Sequence, residues 1–181
     1  LTITGITGSD KVYDDTTAAS ASGTATLVGV EAGDDVFLGG SPVFTFASAN
    51  VGTGITITTS GYTISGTDSG NYTLTQPTLS GDITAAPLTV TASDQTKVYG
   101  ATDPVLTYSI TGFVNGDLES DLDTAVSISR AVGETVGTYT ITPSAATDSN
   151  YAISFVTADF TITAAPLTIT ASDQTKVYGT T

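Results

Sequence analysis

Carboxylates are the side chains with the greatest capacity for chemistry in this sequence. Two groups of them lie in turn-like segments: Asp117, Glu119, Asp121 and Asp123, and Asp34, Asp35 and Asp68. Oxygen-rich clusters of this kind are the ligands that Ca²⁺ prefers. The first group departs from an EF-hand loop, because its sixth position is Leu122 rather than Gly and its twelfth is Ile128 rather than Glu. We therefore interpret both groups as solvated turns and predict no metal and no cofactor.

Catalysis by two carboxyl groups, as in glycosidic-bond cleavage, requires one acid and one base or nucleophile on opposite sides of the scissile bond. Nothing in the sequence sets two of these groups apart in an apolar cleft. The chain contains no His and no Cys, which excludes thiol chemistry, disulfides and imidazole or thiolate metal sites. Gly52-Thr53-Gly54 is predicted to be a turn before a strand, since no helix follows it to hold a phosphate. The sequence predicts no enzyme and no catalytic residue.

Two Lys–Asn pairs raise the question of an intramolecular amide cross-link. Lys11 and Asn71 lie near the two ends of one segment, and Lys97 and Asn150 lie near the two ends of the next. Amide formation between such side chains requires a buried Lys beside a carboxyl group. Lys97 precedes Val98 in a strand, so we expect its head group to face water while its stem packs. We therefore expect no cross-link.

The charge balance limits the possible partners. The formal net charge is -14, from 18 acidic and 4 basic residues. So few cations cannot neutralise a phosphate backbone, which argues against binding to nucleic acid. The acidic surface disfavours anionic membranes and makes the chains repel one another, so we predict a monomer. No apolar run approaches the roughly 18 residues of a membrane-spanning helix, and we predict no membrane insertion.

Apolar residues alternate with Thr along many short runs, as in Leu88, Val90 and Ala92, and in Ile55 and Ile57. A period of two with Thr on the second face predicts antiparallel strands with one face in a core and the other in water. The predicted fold class is all-β, with tandem small antiparallel β-sandwich modules of immunoglobulin type placed end to end. The alternative is a β-grasp-like module with one short helix between Asp117 and Leu122, capped by Asp117.

One stretch occurs twice and organises the chain. Ala85–Ala101 reads AAPLTVTASDQTKVYGA, and Ala164–Thr180 reads AAPLTITASDQTKVYGT. A near-identical repeat indicates tandem structural modules. We predict a first β module at residues 1–85, a second at 86–164, and at 165–181 the first strand of a following, truncated module. That last strand is expected to pair with a neighbouring chain or to lie along the preceding module. The strand-like opening LTITG indicates a piece of a longer protein, with targeting signals elsewhere.

The boundary between the modules leaves almost no linker. Ile83 is predicted to end one module and Leu88 to begin the next. Pro87 fixes its own φ and holds Ala86 extended, so the crossing should be stiff. We therefore predict an elongated rod.

Several motifs in this order resemble known repeats. KVYDDTTAA, GVEAGDDV, NVGTGITI and GNYTLTQPTLSGDITAAPL resemble the YDG-type repeat of bacterial surface proteins. PLTVTASDQTKVYGATDPVLTYSITGFVNGD, SRAVGETVGTYTIT and NYAISF are similar to the MBG repeat of the YGX type. Asp15 stands where the YDG pattern usually has Gly, which questions the turn conformation there.

Such repeats occur in large adhesins and filamentous-haemagglutinin-like exoproteins of Gram-negative bacteria. The resemblance implies a non-enzymatic stalk or spacer at the bacterial cell surface, in cell adhesion or biofilm formation. Its partners would be the neighbouring modules of the same chain. The alternative is a ligand-binding adhesin module that contacts an unidentified glycan or host protein through its loops.

Overall fold

The structure is a computed structural model that describes residues 1–179. Within that range the regular elements are strands and two 3₁₀ turns, Ser69–Asn71 and Glu119–Asp121. The first seven strands are β1 (Thr2–Gly8), β2 (Lys11–Val12), β3 (Ala18–Ala19), β4 (Ala21–Val28), β5 (Phe37–Phe46), β6 (Gly52–Ser65) and β7 (Thr78–Thr84). The next seven are β8 (Ala86–Ala92), β9 (Gln95–Val98), β10 (Tyr108–Thr111), β11 (Ser127–Arg130), β12 (Gly137–Ser144), β13 (Tyr151–Val156) and β14 (Ala158–Thr163). None of the described helical turns is long and apolar enough to cross a lipid bilayer.

The strands form four sheets, and each sheet takes its strands from one side of Ala85. The first module contains the sheets β2-β7-β6-β5-β3 and β1-β4, and the second contains β11-β12-β14-β9 and β10-β8-β13. The predicted all-β, sandwich-like class is confirmed. Three pairs run parallel rather than antiparallel, namely β2 with β7, β8 with β13 and β9 with β14. The sheets are therefore mixed, because early strands of each module lie beside later ones that run in the same direction.

The helix of the β-grasp alternative is not found. Between Asp117 and Leu122 the described chain forms only the 3₁₀ turn Glu119–Asp121. The alternation of apolar residues, in contrast, gave the buried side of the strands correctly. Leu88 and Val90 are fully buried, while the intervening Thr89 is only partly covered.

The two modules share a strand arrangement but fill their cores differently. Phe46 on β5 pairs with Ile57 on β6, and Arg130 on β11 pairs with the equivalent residue of the second module, Ile141 on β12. Phe46 fills the space above Gly81, where an added Cβ would lie 3.3 Å from the ring. The position equivalent to Gly81 is Phe160 in the second module, and the Arg130 guanidinium lies 4.7 Å from the centre of its ring. Each core therefore contains one aromatic ring, which comes from β5 on one side of β6 in the first module and from β14 on the other side of β12 in the second. The exchange keeps the side-chain volume of the two cores similar.

Thr59 places an unsatisfied polar atom in the described core. Its side-chain oxygen is buried and has no hydrogen-bond partner among the described residues. Valine has the same shape without the hydroxyl, so Thr59→Val should raise the free energy of unfolding by about 1 kcal/mol. Urea unfolding followed by circular dichroism measures this. Thr56→Val, at an exposed position of the same strand, is the control and should change little; an equal gain there would contradict the explanation.

The segment that repeats β8 and β9 has a different environment from the original. Residues 164–179 include no assigned strand, and their side chains are exposed. The prediction that this segment lies along the preceding module is therefore wrong for the described residues. The physical reason is that β10 and β13 pair with β8 itself, and the described residues offer the repeated segment no equivalent strands. Pairing with a further module or another chain stays a prediction.

Candidate functional site

The connection between the modules is a single residue. β7 ends at Thr84 and β8 begins at Ala86, so only Ala85 lies between two strands. The Thr84 carbonyl accepts a hydrogen bond from the Tyr13 amide at 2.8 Å, and the Ala86 amide donates to the Asn150 carbonyl at 3.0 Å. Both flanks are therefore fixed, one within each module, and the crossing retains little freedom.

Side chains of both modules meet in one apolar cluster at this crossing. We call it the junction core; its buried members are Tyr13, Phe46, Ile57, Ile83, Ala86, Leu88 and Tyr151. Four of them belong to the first module and three to the second. Partly buried residues of both modules, including Val51 and Phe113, pack around it. The boundary between the modules is therefore part of one apolar core, to which both modules contribute buried side chains.

Aromatic rings and one carboxylate give the junction core its specific geometry. The Tyr151 ring packs edge-on against Tyr13 at 5.4 Å and 80°, and against Phe113 at 5.6 Å and 87°. These are favourable arrangements for aromatic pairs. One oxygen of Asp117 accepts both tyrosine hydroxyls, at 3.3 Å from Tyr13 and 2.6 Å from Tyr151. Asp117 is therefore the polar group that ties the two rings across the boundary.

The protonation of these tyrosines suits that role. Burial, followed by the charge of Asp117, raises the pKa of Tyr13 far above its usual range. Burial and the hydrogen bond to Asp117 raise the pKa of Tyr151 to about 12. Both hydroxyls therefore remain protonated at neutral pH and act as donors to the carboxylate.

Two more hydrogen bonds cross the boundary. The Asn150 side-chain oxygen accepts from the Val51 amide at 3.0 Å. The Asn115 side-chain nitrogen donates to an Asp15 oxygen at 3.3 Å. Asp15 and Asn115 both have left-handed backbones, with φ of 57° and 47°. Asp tolerates this conformation better than most residues, so Asp15 keeps the turn for which the YDG pattern uses Gly.

The acids considered as calcium ligands accept hydrogen bonds from different groups of the protein. The prediction that Asp117 caps a short helix is wrong, because its side chain instead accepts the hydroxyls of Tyr13 and Tyr151 at the edge of the junction core. The other three acids of that stretch each accept their own hydrogen bond: Glu119 from the Tyr108 hydroxyl, Asp121 from the Leu118 amide and Asp123 from the Ser149 amide. Within residues 1–179, no group of three or more acids is arranged to hold a metal ion.

The second acidic group fastens two loops of the first module. Asp35 accepts from the Thr67 amide at 3.0 Å, and Asp68 accepts from the Asp35 amide at 2.8 Å. Asp34 accepts the Tyr72 hydroxyl at 2.6 Å. These carboxylates are therefore already engaged by donors of the protein.

Gly52-Thr53-Gly54 is part of β6, not a turn before a strand. The register of β6 against β7 shifts between Gly52 and Ile55, which marks a β-bulge. Gly54 has φ of 61° in this bulge, and its amide donates to Asp82 at 2.7 Å. The left-handed conformation at Gly54 explains why glycine stands there.

The expectation that Lys97 faces water was wrong. Its side chain is only 4% exposed, and its ammonium group contacts Asp103 at 2.6 Å and also Glu134. Arg130 bonds the same two carboxylates. An inward-facing Lys is accommodated because the network supplies an anion for each cation. In the described structure Lys97 thus contacts carboxylates, while the Asn150 side chain accepts from the first module.

Burial of Lys97 beside carboxyl groups reopens the question of a cross-link. Amide formation needs a neutral amine and a protonated acid. The hydrogen bond to Asp103 raises the pKa of Lys97, and the bonds from Lys97 and Arg130 lower that of Glu134. Both effects favour the charged forms. We expect the intact mass to equal that of the unmodified chain; a loss of one water or one ammonia would contradict this.

The same network predicts a specific acid sensitivity. The Arg130 and Lys97 hydrogen bonds lower the pKa of Asp103 from 3.8 to about 2. A carboxyl group with a depressed pKa in the folded state stabilises the fold above its unfolded pKa and loses this effect as the pH falls to the folded value. The Tm should therefore decrease between about pH 4 and pH 2, and less so in Asp103→Asn. Asp173→Asn, at an exposed position of the tail, should follow the parent; identical profiles for both variants would contradict the assignment.

Comparison with known families divides the chain at the same place. Residues 1–79 match the YDG domain, and residues 88–161 match the MBG domain of the YGX type. No curated protein and no solved structure shows a significant match. The two matched ranges end and begin on either side of the junction described above.

Proposed function

The chain consists of a YDG domain followed by an MBG domain of the YGX type, and from this premise we propose that it is a stalk segment of a large bacterial surface adhesin. It acts outside the cell, as a monomer and without catalysis or a cofactor. Its task is to hold a distal binding region away from the surface. The neighbouring modules of the same chain are its partners.

The observation that carries this proposal is the junction core. Two modules joined by one residue transmit force and direction only if contacts fix their relative orientation. Here Leu88 and Tyr151 from one module are buried with Tyr13 and Ile83 from the other. Hydrogen bonds accepted by Asp117, Asn150 and Asp15 also cross the boundary. A packed, bonded boundary resists bending, which is the property that a spacer needs and that a coil linker lacks.

Small-angle X-ray scattering of the purified chain tests the proposal. We expect an extended distance distribution that one rigid arrangement of the two modules reproduces. Pro87→Gly removes the fixed φ at the crossing and should broaden the distribution while both modules stay folded. Pro166→Gly alters the equivalent position of the exposed segment and is the matched control. A compact particle, or many interdomain angles in the parent chain, would overturn the stalk role.

A further inference from the structure

The end of the first module that forms the junction has an equivalent at the far end of the second module. The Tyr13 amide donates to the Thr84 carbonyl at 2.8 Å, and the Tyr99 amide donates to the Thr163 carbonyl at the same distance. Tyr13 and Tyr99 therefore occupy the same place in their modules. Each follows a short strand that pairs in parallel with the last strand of its module.

A second pair of residues is related in the same way. The glycines that follow Val51 and Val136 pair with Ile83 and Ile162, which are themselves equivalent. Val51 packs against the junction core, whereas Val136 is 57% exposed. The difference is larger still for the tyrosines, because Tyr13 is 6% exposed and Tyr99 is 54% exposed. The far end thus presents, uncovered, an apolar pair that the first module buries.

The chain continues from this end with a segment whose first copy, β8, is largely buried. Residues 165–171 repeat the sequence of β8 with one change, Ile169 in place of Val90. Leu88 and Val90 are fully buried in β8, but Leu167 and Ile169 are 87% and 89% exposed. The Thr163 carbonyl accepts a hydrogen bond from the Tyr99 amide. The apolar segment, which begins two residues after Thr163, therefore starts next to the exposed tyrosine.

We propose that Tyr99 and Val136 form a docking surface, the distal face, for a further MBG domain of the YGX type whose first strand is residues 165–171. This deepens the proposed function, on which it rests, by naming the partner of that end. The partner would present a tyrosine and a carboxylate to Tyr99, as Tyr151 and Asp117 do to Tyr13.

The chemistry of the known junction specifies the remaining contacts. An asparagine of the partner, equivalent to Asn150, would accept from the Val136 amide. One bond of the known junction would be missing, because Ala101 stands at the position of Asp15 and cannot accept from an equivalent of Asn115. The second junction would therefore rest mainly on the aromatic contact and the buried first strand.

An extended chain tests this directly. Residues 1–180 are followed by a second copy of residues 102–163, which completes a module from the existing segment. Amide hydrogen exchange in residues 165–171 should slow by on the order of 100-fold relative to the original chain, because the strand gains partners. Tyr99→Ala should speed this exchange in the extended chain by at least about tenfold. It should leave the Tm of the original chain unchanged.

Tyr178→Ala is the matched control, since Tyr178 becomes the new terminal tyrosine and should have no effect on exchange in residues 165–171. A folded added module with no effect of Tyr99→Ala would overturn the proposal. So would an added copy that does not fold, because the same residues fold behind the first module. Self-association of the original chain that Tyr99→Ala abolishes would assign the face to a second copy and also overturn it. A flexible particle in scattering would remove the stalk role but leave these exchange results intact.

Discussion

Leu88→Ala is expected to lower the free energy of unfolding by about 3 kcal/mol. Leu88 is fully buried in the junction core, where it packs with residues of both modules. Removing its side chain deletes apolar contacts and leaves a cavity that the surrounding structure closes only in part. Urea unfolding followed by circular dichroism gives the change, and the two modules should lose stability together.

The repeated sequence provides an unusually close control. Leu167 lies in the same sequence context, between Ala-Ala-Pro and Thr, but its side chain is 87% exposed. Leu167→Ala should therefore change the free energy of unfolding by less than about 0.5 kcal/mol. Equal losses in the two variants would show that local sequence, not the junction core, sets the effect.

Tyr13→Ala is expected to cost about 3 kcal/mol as well, and to separate the unfolding of the two modules. The substitution removes a buried ring that packs against Tyr151 and a hydroxyl that donates to Asp117. Asp117 then keeps only the Tyr151 hydroxyl. Thermal unfolding followed by near-ultraviolet circular dichroism should change from one transition to two.

Tyr99→Ala is the matched variant for this second prediction. Tyr99 holds the equivalent position in the second module but is 54% exposed, so its loss should leave a single transition at nearly the parent temperature. If both variants split the transition, Tyr13 would act within its own module and not through the boundary. The milder Tyr13→Phe should keep the coupling, because the ring contact remains.

A single cause connects these two pairs. Residues at equivalent positions differ in their effect on stability according to whether a neighbouring module covers them. In a chain of such modules, the packed contacts at each boundary determine the bending stiffness of the chain more than the connecting residue does. This is the property on which the proposed stalk role depends.

The sequence by itself determined the strands and the modular plan. The period-two alternation at Leu88, Val90 and Ala92 follows from the pleat of a strand, which sends successive side chains to opposite faces. Such information is local, so it can be read without the fold. The repeat at Ala85 and Ala164 likewise marked the connection, and the structure leaves only Ala85 between β7 and β8.

Only the tertiary structure decided where the polar side chains point. Lys97 was expected in water because of its place before Val98 in a strand, but Asp103, six residues on, and Glu134, 37 residues on, both contact its ammonium group in the fold. Asp117 was expected to cap a helix, a local role, but it accepts hydrogen bonds from two tyrosines of different modules. A pairing across long separations leaves no local periodicity to detect.

The tertiary structure also decided burial where the sequence is the same. Leu88 and Leu167 have nearly identical neighbours along the chain, yet one is fully buried and the other exposed. Local sequence fixes the tendency to extend, whereas burial requires the facing surface of β10, β13 and the first module. Because hydrophobic stabilisation depends on the area removed from water, that facing surface, not the strand itself, decides whether this repeated segment becomes part of a core.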